Sequence, residues 1–230
     1  QYLLLARYLQ GTADAGLCSM EGGTQYTPEI AARAVGKRGQ ALSGDRGACF
    51  HGPGTTFFVL LCDGMGTGRG AKAESSSAME ALTGLLRAGL DAASALQLLN
   101  SAYVLRDDGR FATVDLLQID LASGNALLLK WGAAPSYLRH DGALRRLGEA
   151  SMPPGLALAG LDKVQRIKLT LRPGDLVVLT SDGAGAEETE RCITAEADRP
   201  VAELAAGIVA AAAPGDDITA VVLRLQAPAA

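Results

Sequence analysis

Two apolar runs in this chain end in the same dipeptide: Phe57 to Cys62 runs into Asp63-Gly64, and Leu176 to Ser181 runs into Asp182-Gly183. A short aliphatic run bounded by turn residues predicts a buried strand, so each strand delivers a carboxylate to its C-terminal end. A third acidic unit, Asp216-Asp217, opens the apolar run Ile218 to Leu225, and Ser43-Gly44-Asp45 follows a strand predicted near the N-terminus. A buried carboxylate without compensation is costly. Several such strand-end acids together therefore point to a hard divalent cation held by oxygen. Asp-Gly is also a turn signal. Asp108-Gly109 and Asp141-Gly142, set between polar residues, read as plain turns.

The remaining elements follow from pattern. Tyr26 to Val35 predicts a strand, Ala71 to Ala88 a helix, and Asp91 an N-cap for a second helix to about Leu105, with Leu96, Leu99 and Tyr103 on one face. Phe111 to Leu121 and Ala126 to Trp131 form a predicted hairpin, as do Ser136 to His140 and Ala143 to Leu147. Val164 to Leu171 is a further strand, Glu187 to Arg191 one helical turn, and Pro200 to Ala213 a helix with proline at its start. This order predicts an α+β layered fold with largely antiparallel sheets. The expected divisions are a connector over 1–25, one domain over 26–226 and a tail over 227–230.

With 230 residues, 48% of them hydrophobic, the chain has enough apolar mass for a full core without disulfides. A net charge of -4 argues against nucleic-acid binding. Cys18, Cys49, Cys62 and Cys192 are scattered without a Cys-x-x-Cys pair, which predicts reduced thiols of a cytoplasmic domain rather than a disulfide frame or zinc site. No run reaches the roughly 18 apolar residues of a membrane span, so no membrane contact is expected of this segment. The chain begins at Gln1 rather than Met and reads as a piece of a longer product, with regulatory or membrane segments upstream.

Other chemistry is thinner. Gly66-Thr67-Gly68-Arg69-Gly70-Ala71 matches a dinucleotide loop, but no strand with a terminal acid follows about twenty residues on, and no Gly-Lys-Ser/Thr is present. The glycines instead read as letting backbone pass close to a metal, with the Gly64 carbonyl as an oxygen ligand. His51 and His140 have no zinc or triad spacing, and Ser181 is not in a Gly-x-Ser-x-Gly elbow. Arg38, Arg46, Arg69 and Lys72 lie near the acidic motifs; each is either part of a solvated face or a contact to substrate phosphate.

Taken in order, Ser43-Gly44-Asp45, Asp63-Gly64-Met65-Gly66-Thr67-Gly68, Ser181-Asp182-Gly183 and Gly215-Asp216-Asp217-Ile218-Thr219 resemble the metal-dependent type 2C protein phosphatases. The resemblance is closest to the bacterial branch typified by the stage II sporulation protein E phosphatase domain. Ala73 to Ser77 and the hairpin Ser123 to Pro135, with Lys130 to Ser136, share it; in all it covers about residues 26–225.

The resemblance implies two antiparallel β-sheets packed as a sandwich and flanked by helices on both sides. It implies two manganese or magnesium ions that activate a water for in-line attack on phosphoserine or phosphothreonine. Asp63 is implied to bridge the ions and Gly64 to offer its carbonyl. Asp182 and Asp216 are the implied ligands of the first ion and Asp45 of the second, with Asp63, Asp182 and Asp216 as the catalytic set. Asp217 stands where relatives carry Asn and is implied to orient rather than coordinate; the residues alone leave the choice between Asp216 and Asp217 open. Many eukaryotic relatives carry His where this chain has Met65, so the leaving-group acid must come from elsewhere. The short stretch between Asp182 and Asp216 leaves little room for a substrate flap.

The implied substrate is a phosphorylated anti-sigma-factor antagonist. A homodimer through the two helices or an upstream domain is allowed, with the helix packing, through core positions such as Leu82 and Leu86, setting metal affinity. A catalytically degenerate binding module of the same fold, or a dinucleotide-binding domain, are the alternatives.

Overall fold

A computed structural model describes residues 24–37, 43–106, 108–149, 151–155, 163–213 and 215–227. The connector and tail readings, and those for Cys18 and Arg38, lie mostly or wholly outside the described residues. The strands are β1 (Thr27–Val35), β2 (Asp45–His51), β3 (Thr56–Gly64), β4 (Ala112–Asp120), β5 (Asn125–Trp131), β6 (Ser136–His140), β7 (Ala143–Leu147), β8 (Gln165–Thr170), β9 (Leu176–Thr180) and β10 (Ile218–Gln226). Helices α1 (Gly68–Arg87) and α2 (Ala92–Arg106) follow β3, while α3 (Ala186–Glu196) and α4 (Val201–Ala211) precede β10.

The strands form two five-stranded sheets, β1-β10-β9-β6-β7 and β2-β3-β4-β5-β8. Every pairing is antiparallel. Side chains alternate between faces along a strand, and β3 shows where each face goes. Phe58, Leu60 and Cys62 pack with Ala78, Leu82, Leu86, Leu96 and Leu99 of α1 and α2. Phe57, Val59 and Leu61 instead meet Val177, Leu179, Val221 and Leu223 of the other sheet. The outer face of that second sheet, through Val178, Ala220 and Val222, packs on Leu204 and Ile208 of α4. The layers are thus helix, sheet, sheet, helix, as expected. Central strands are buried on both faces, which is why their sequences read as continuous apolar runs although the sheets are antiparallel.

Several local signals act as predicted. Asp91 accepts the Ser94 backbone N–H at 3.0 Å and caps α2. Asp141 and Gly142 both take positive φ, 47° and 79°, in the β6–β7 turn. Two features differ from expectation. The sequence reading placed no strand over 45–51, because Asp-Arg-Gly-Ala-Cys-Phe-His lacks β-branched residues; β2 forms there as the edge partner of β3. The single helical turn expected at Glu187 is an 11-residue helix whose buried contacts are Thr189 and Ile193 alone, four residues apart, too narrow a stripe to stand out. Among the described residues no helix is long and apolar enough to cross a membrane.

Candidate metal centre

Asp63 continues the 57-59-61 series and so points between the sheets. Its register partner across β2–β3 is Asp45. Like charges directly opposite each other on a sheet destabilise it. Asp45 is only 3% exposed, yet neither of its carboxylate oxygens makes a hydrogen bond of good geometry. The hydroxyls of Thr219 and Ser181 stand near enough to favour its charged form, but burial outweighs them and pushes its pKa up. A buried acceptor pair left this way is the donor set a hard cation takes.

The second sheet supplies the other acids. β9 and β10 are neighbours, tied beyond the ladder by the Ser181 N–H to Thr219 O bond at 3.0 Å and by Thr219 N–H to Ser181 Oγ at 2.8 Å. Asp182 begins a short 3-10 turn, Asp182–Ala184, with Ser181 between it and the end of β9. Contrary to the premise that it is buried like a core residue, Asp182 is exposed and shielded on one side only; that partial burial, then Asp216, raises its pKa. Asp216 is half-buried just before β10. Asp217 is buried and already spent: its Oδ2 accepts Gly44 N–H and its Oδ1 accepts Lys37 N–H, each at 2.7 Å. It fastens the loop before β2 to the start of β10.

Asp63 feels all of this. Burial first, then the charges of Asp45, Asp182 and Asp216, push its carboxyl up to about 9. An acid whose folded pKa lies above its unfolded value stabilises the fold at low pH and loses that contribution as pH rises through the folded pKa. Between the ordinary carboxylate range and about 9, the unfolded chain ionises Asp63 while the folded chain resists. The metal-free protein is therefore expected to melt at progressively lower temperature from pH 5 to pH 9. Thermal unfolding in chelator across that range checks this, and a melting temperature that climbs toward pH 9 would contradict it.

Gly64 and Gly44 are places of close backbone approach. A Cβ on Gly64 would stand 1.9 Å from the Ala71 carbonyl oxygen, and one on Gly44 would stand 2.8 Å from the Ala71 Cβ. These positions admit the first turn of α1 against both acid-bearing strand ends. Met65 is 54% exposed. Arg46 turns its guanidinium toward α1 and local carbonyls; Arg69 is exposed at the start of α1.

Sequence reasoning gave no role to Asp115 or Lys130. They pair fully buried between the sheets, and Ser136 Oγ lies 2.7 Å from Lys130 Nζ. Asp63 and Asp115 line one small cleft together with Thr113 and Ser181. A separate, wider groove lies around Gln118, Leu127 and Lys168. Only the alternation of β4 and β5, which puts a charged residue at an inward position on each, signalled the pair. Among the described residues no three His, Cys, Asp or Glu side chains are drawn close enough to hold an ion between them. The carboxylates face one another in pairs across the sheet ends and act on each other electrostatically without forming a closed cage.

The comparisons agree with this architecture. Residues 53–226 match the family model for stage II sporulation protein E. The stage II sporulation protein E of Bacillus subtilis (strain 168) is 30% identical over 159 residues, covering 69% of this chain and 19% of that protein. The chain spans less than a third of the length of the curated relatives it matches. Among solved structures, the PP2C phosphatase domain of SpoIIE from Bacillus subtilis, with a fragment of its regulatory domain, superposes with a TM-score of 0.78 at 25% identity, covering 90% of this chain and 66% of that one. RsbX in complex with magnesium superposes at 0.68 and 17% identity, covering 86% and 96%.

Proposed function

The chain belongs to the stage II sporulation protein E family, and on that premise we propose that it is a manganese- or magnesium-dependent phosphatase acting on phosphoserine and phosphothreonine. The observation that carries this reading is the buried Asp45 carboxylate, without a hydrogen-bond partner and opposite Asp63 in register. Asp63, Asp45, Asp182, Asp216 and the Gly64 carbonyl would hold the ions, with Asp63 shared between them, Asp182 and Asp216 on the first and Asp45 on the second. When bound, the ions supply Lewis acidity, which makes water nucleophilic near neutral pH and offsets phosphoryl charge.

The protein's own part is positioning. Asp217 holds the Asp45 loop against β10, and Ser181 locks β9 to β10 beside Asp182. Met65 carries no transferable proton, so the leaving serine or threonine oxygen takes its proton from solvent, to which this loop is open. The domain over 26–226 would be the catalytic unit. Its substrate would be a phosphorylated anti-sigma-factor antagonist, and the chain would act in the cytoplasm, a setting that suits the free thiols of Cys49, Cys62 and Cys192. A homodimer through α1 and α2 is part of the same reading.

Phosphate release from an aryl phosphate and from a phosphoserine peptide, with manganese and with chelator, tests the proposal. Release from both that requires manganese is expected. No release from either under any divalent ion would leave a binding module of the same fold.

A further inference from the structure

Asp45 and Arg46 are consecutive on β2, so their side chains leave opposite faces of the sheet. Asp45 looks inward to Asp63. Arg46 lies opposite Cys62, whose side chain is in the helix-facing core, and so enters the layer between β2 and α1. There its guanidinium forks. Nε donates to Ser76 Oγ, in the third turn of α1, at 3.2 Å. Nη1 donates to the carbonyl of Asp45 at 2.7 Å, and at 3.5 Å to that of Ser43.

Among the described residues Arg46 makes no ion pair within 4.0 Å; the bonds of its permanently charged head go to a hydroxyl and two carbonyls. β2 is an edge strand with β3 as its one neighbour, so its first peptides have a ladder on one side only. The guanidinium supplies the missing restraint with charge-assisted bonds from a planar, preorganised fork.

We propose that Arg46 is a positioning residue for metal binding: by joining Ser76 of α1 to the Asp45 peptide, it fixes the Asp45 carboxylate in its inward setting opposite Asp63. This rests on the metal-centre reading above. Outer-shell partners of metal ligands are typically worth about 10–100-fold in affinity, and that is the loss of manganese affinity expected for Arg46→Ala. Arg46→Lys regains part of it, because an ammonium reaches a carbonyl but cannot fork to Ser76. Ser76→Ala, which leaves the carbonyl bonds in place, costs only a few-fold by the same scale.

The experiment is calorimetric manganese titration of the full chain and these variants, with Asp45→Asn alone and combined with Arg46→Ala. If Arg46 acts through Asp45, the double variant binds manganese no more weakly than Asp45→Asn; a merely structural role would weaken it further. Should Arg46→Ala fail to fold, Ser76→Ala and Arg46→Lys carry the same comparison. A wild-type chain that binds manganese alongside variants that bind it equally well overturns the role of Arg46 alone. A wild-type chain that binds none overturns the metal reading as well.

Discussion

Replacing Lys130 by Met is expected to lower the stability of the fold by about 3–5 kcal/mol, the cost of stranding one partner of a buried ion pair. Lys130, Asp115 and Ser136 are all 0% exposed. Lys130 Nζ lies 2.5 Å from Asp115 Oδ1 and 2.7 Å from Ser136 Oγ. Burial pushes the Asp115 carboxyl up, and the Lys130 charge is the largest influence holding it down. Without Lys130, Asp115 must take up a proton to stay folded.

Such a group stabilises the fold only below the unfolded carboxylate pKa and loses that contribution as pH rises, so the penalty in Lys130→Met is smaller at pH 4 than at pH 7. Replacing both partners, Asp115→Leu with Lys130→Met, removes charge and counter-charge together and recovers most of the loss. Urea unfolding of the single and double variants at both pH values measures this. A double variant as unstable as the single one would show that the site is governed by packing rather than charge. Gly148 is part of the same arrangement: a Cβ there would stand 2.4 Å from Lys130 Cδ, and its φ is 83°.

Asp63→Asn is expected to reduce manganese-dependent phosphate release by more than about 100-fold, beyond the range typical of outer-shell partners. The same substitution should raise the melting temperature of the metal-free chain near pH 8. Asp63 faces Asp45 in register, and its burial beside Asp45, Asp182 and Asp216 pushes its pKa up to about 9; near pH 8 the metal-free fold keeps it by taking up a proton, a cost a neutral amide does not carry. One carboxylate thus acts with opposite signs on activity and on metal-free stability, the expected signature of a charge kept for function. Thermal melts in chelator and initial rates in manganese separate the two effects. A variant that is both less active and less stable would indicate simple damage to the fold.

Much of this was legible in the chain because burial writes itself into strands. Phe57 to Cys62 and Leu176 to Leu179 are apolar throughout since helices cover one face and the opposing sheet the other. β2 escaped notice because an edge strand lives by its register with β3 rather than by its own propensity. Asp45 and Arg46 are adjacent charges in the sequence. Their opposed directions exist only once pleating separates them.

The apolar run before Asp182 predicts a buried carboxylate, but the chain turns outward at Asp182, two residues beyond the end of β9. Besides the carbonyl that the motif points to, Gly64 has a second requirement: its missing side chain makes room for Ala71 seven residues on, a contact set by the docking of α1 and invisible to local pattern. Asp115 and Lys130 were passed over because a charge at an inward position reads as noise until the partner strand brings its counter-charge into register.

The most direct test of the central claim, that strand ends far apart in sequence form one metal centre, is the number of manganese ions retained per chain at equilibrium dialysis. Wild type should hold two, Asp45→Asn fewer, and Asp63→Asn essentially none, because Asp63 would serve both ions. Full manganese occupancy in a folded Asp63→Asn variant would contradict the account.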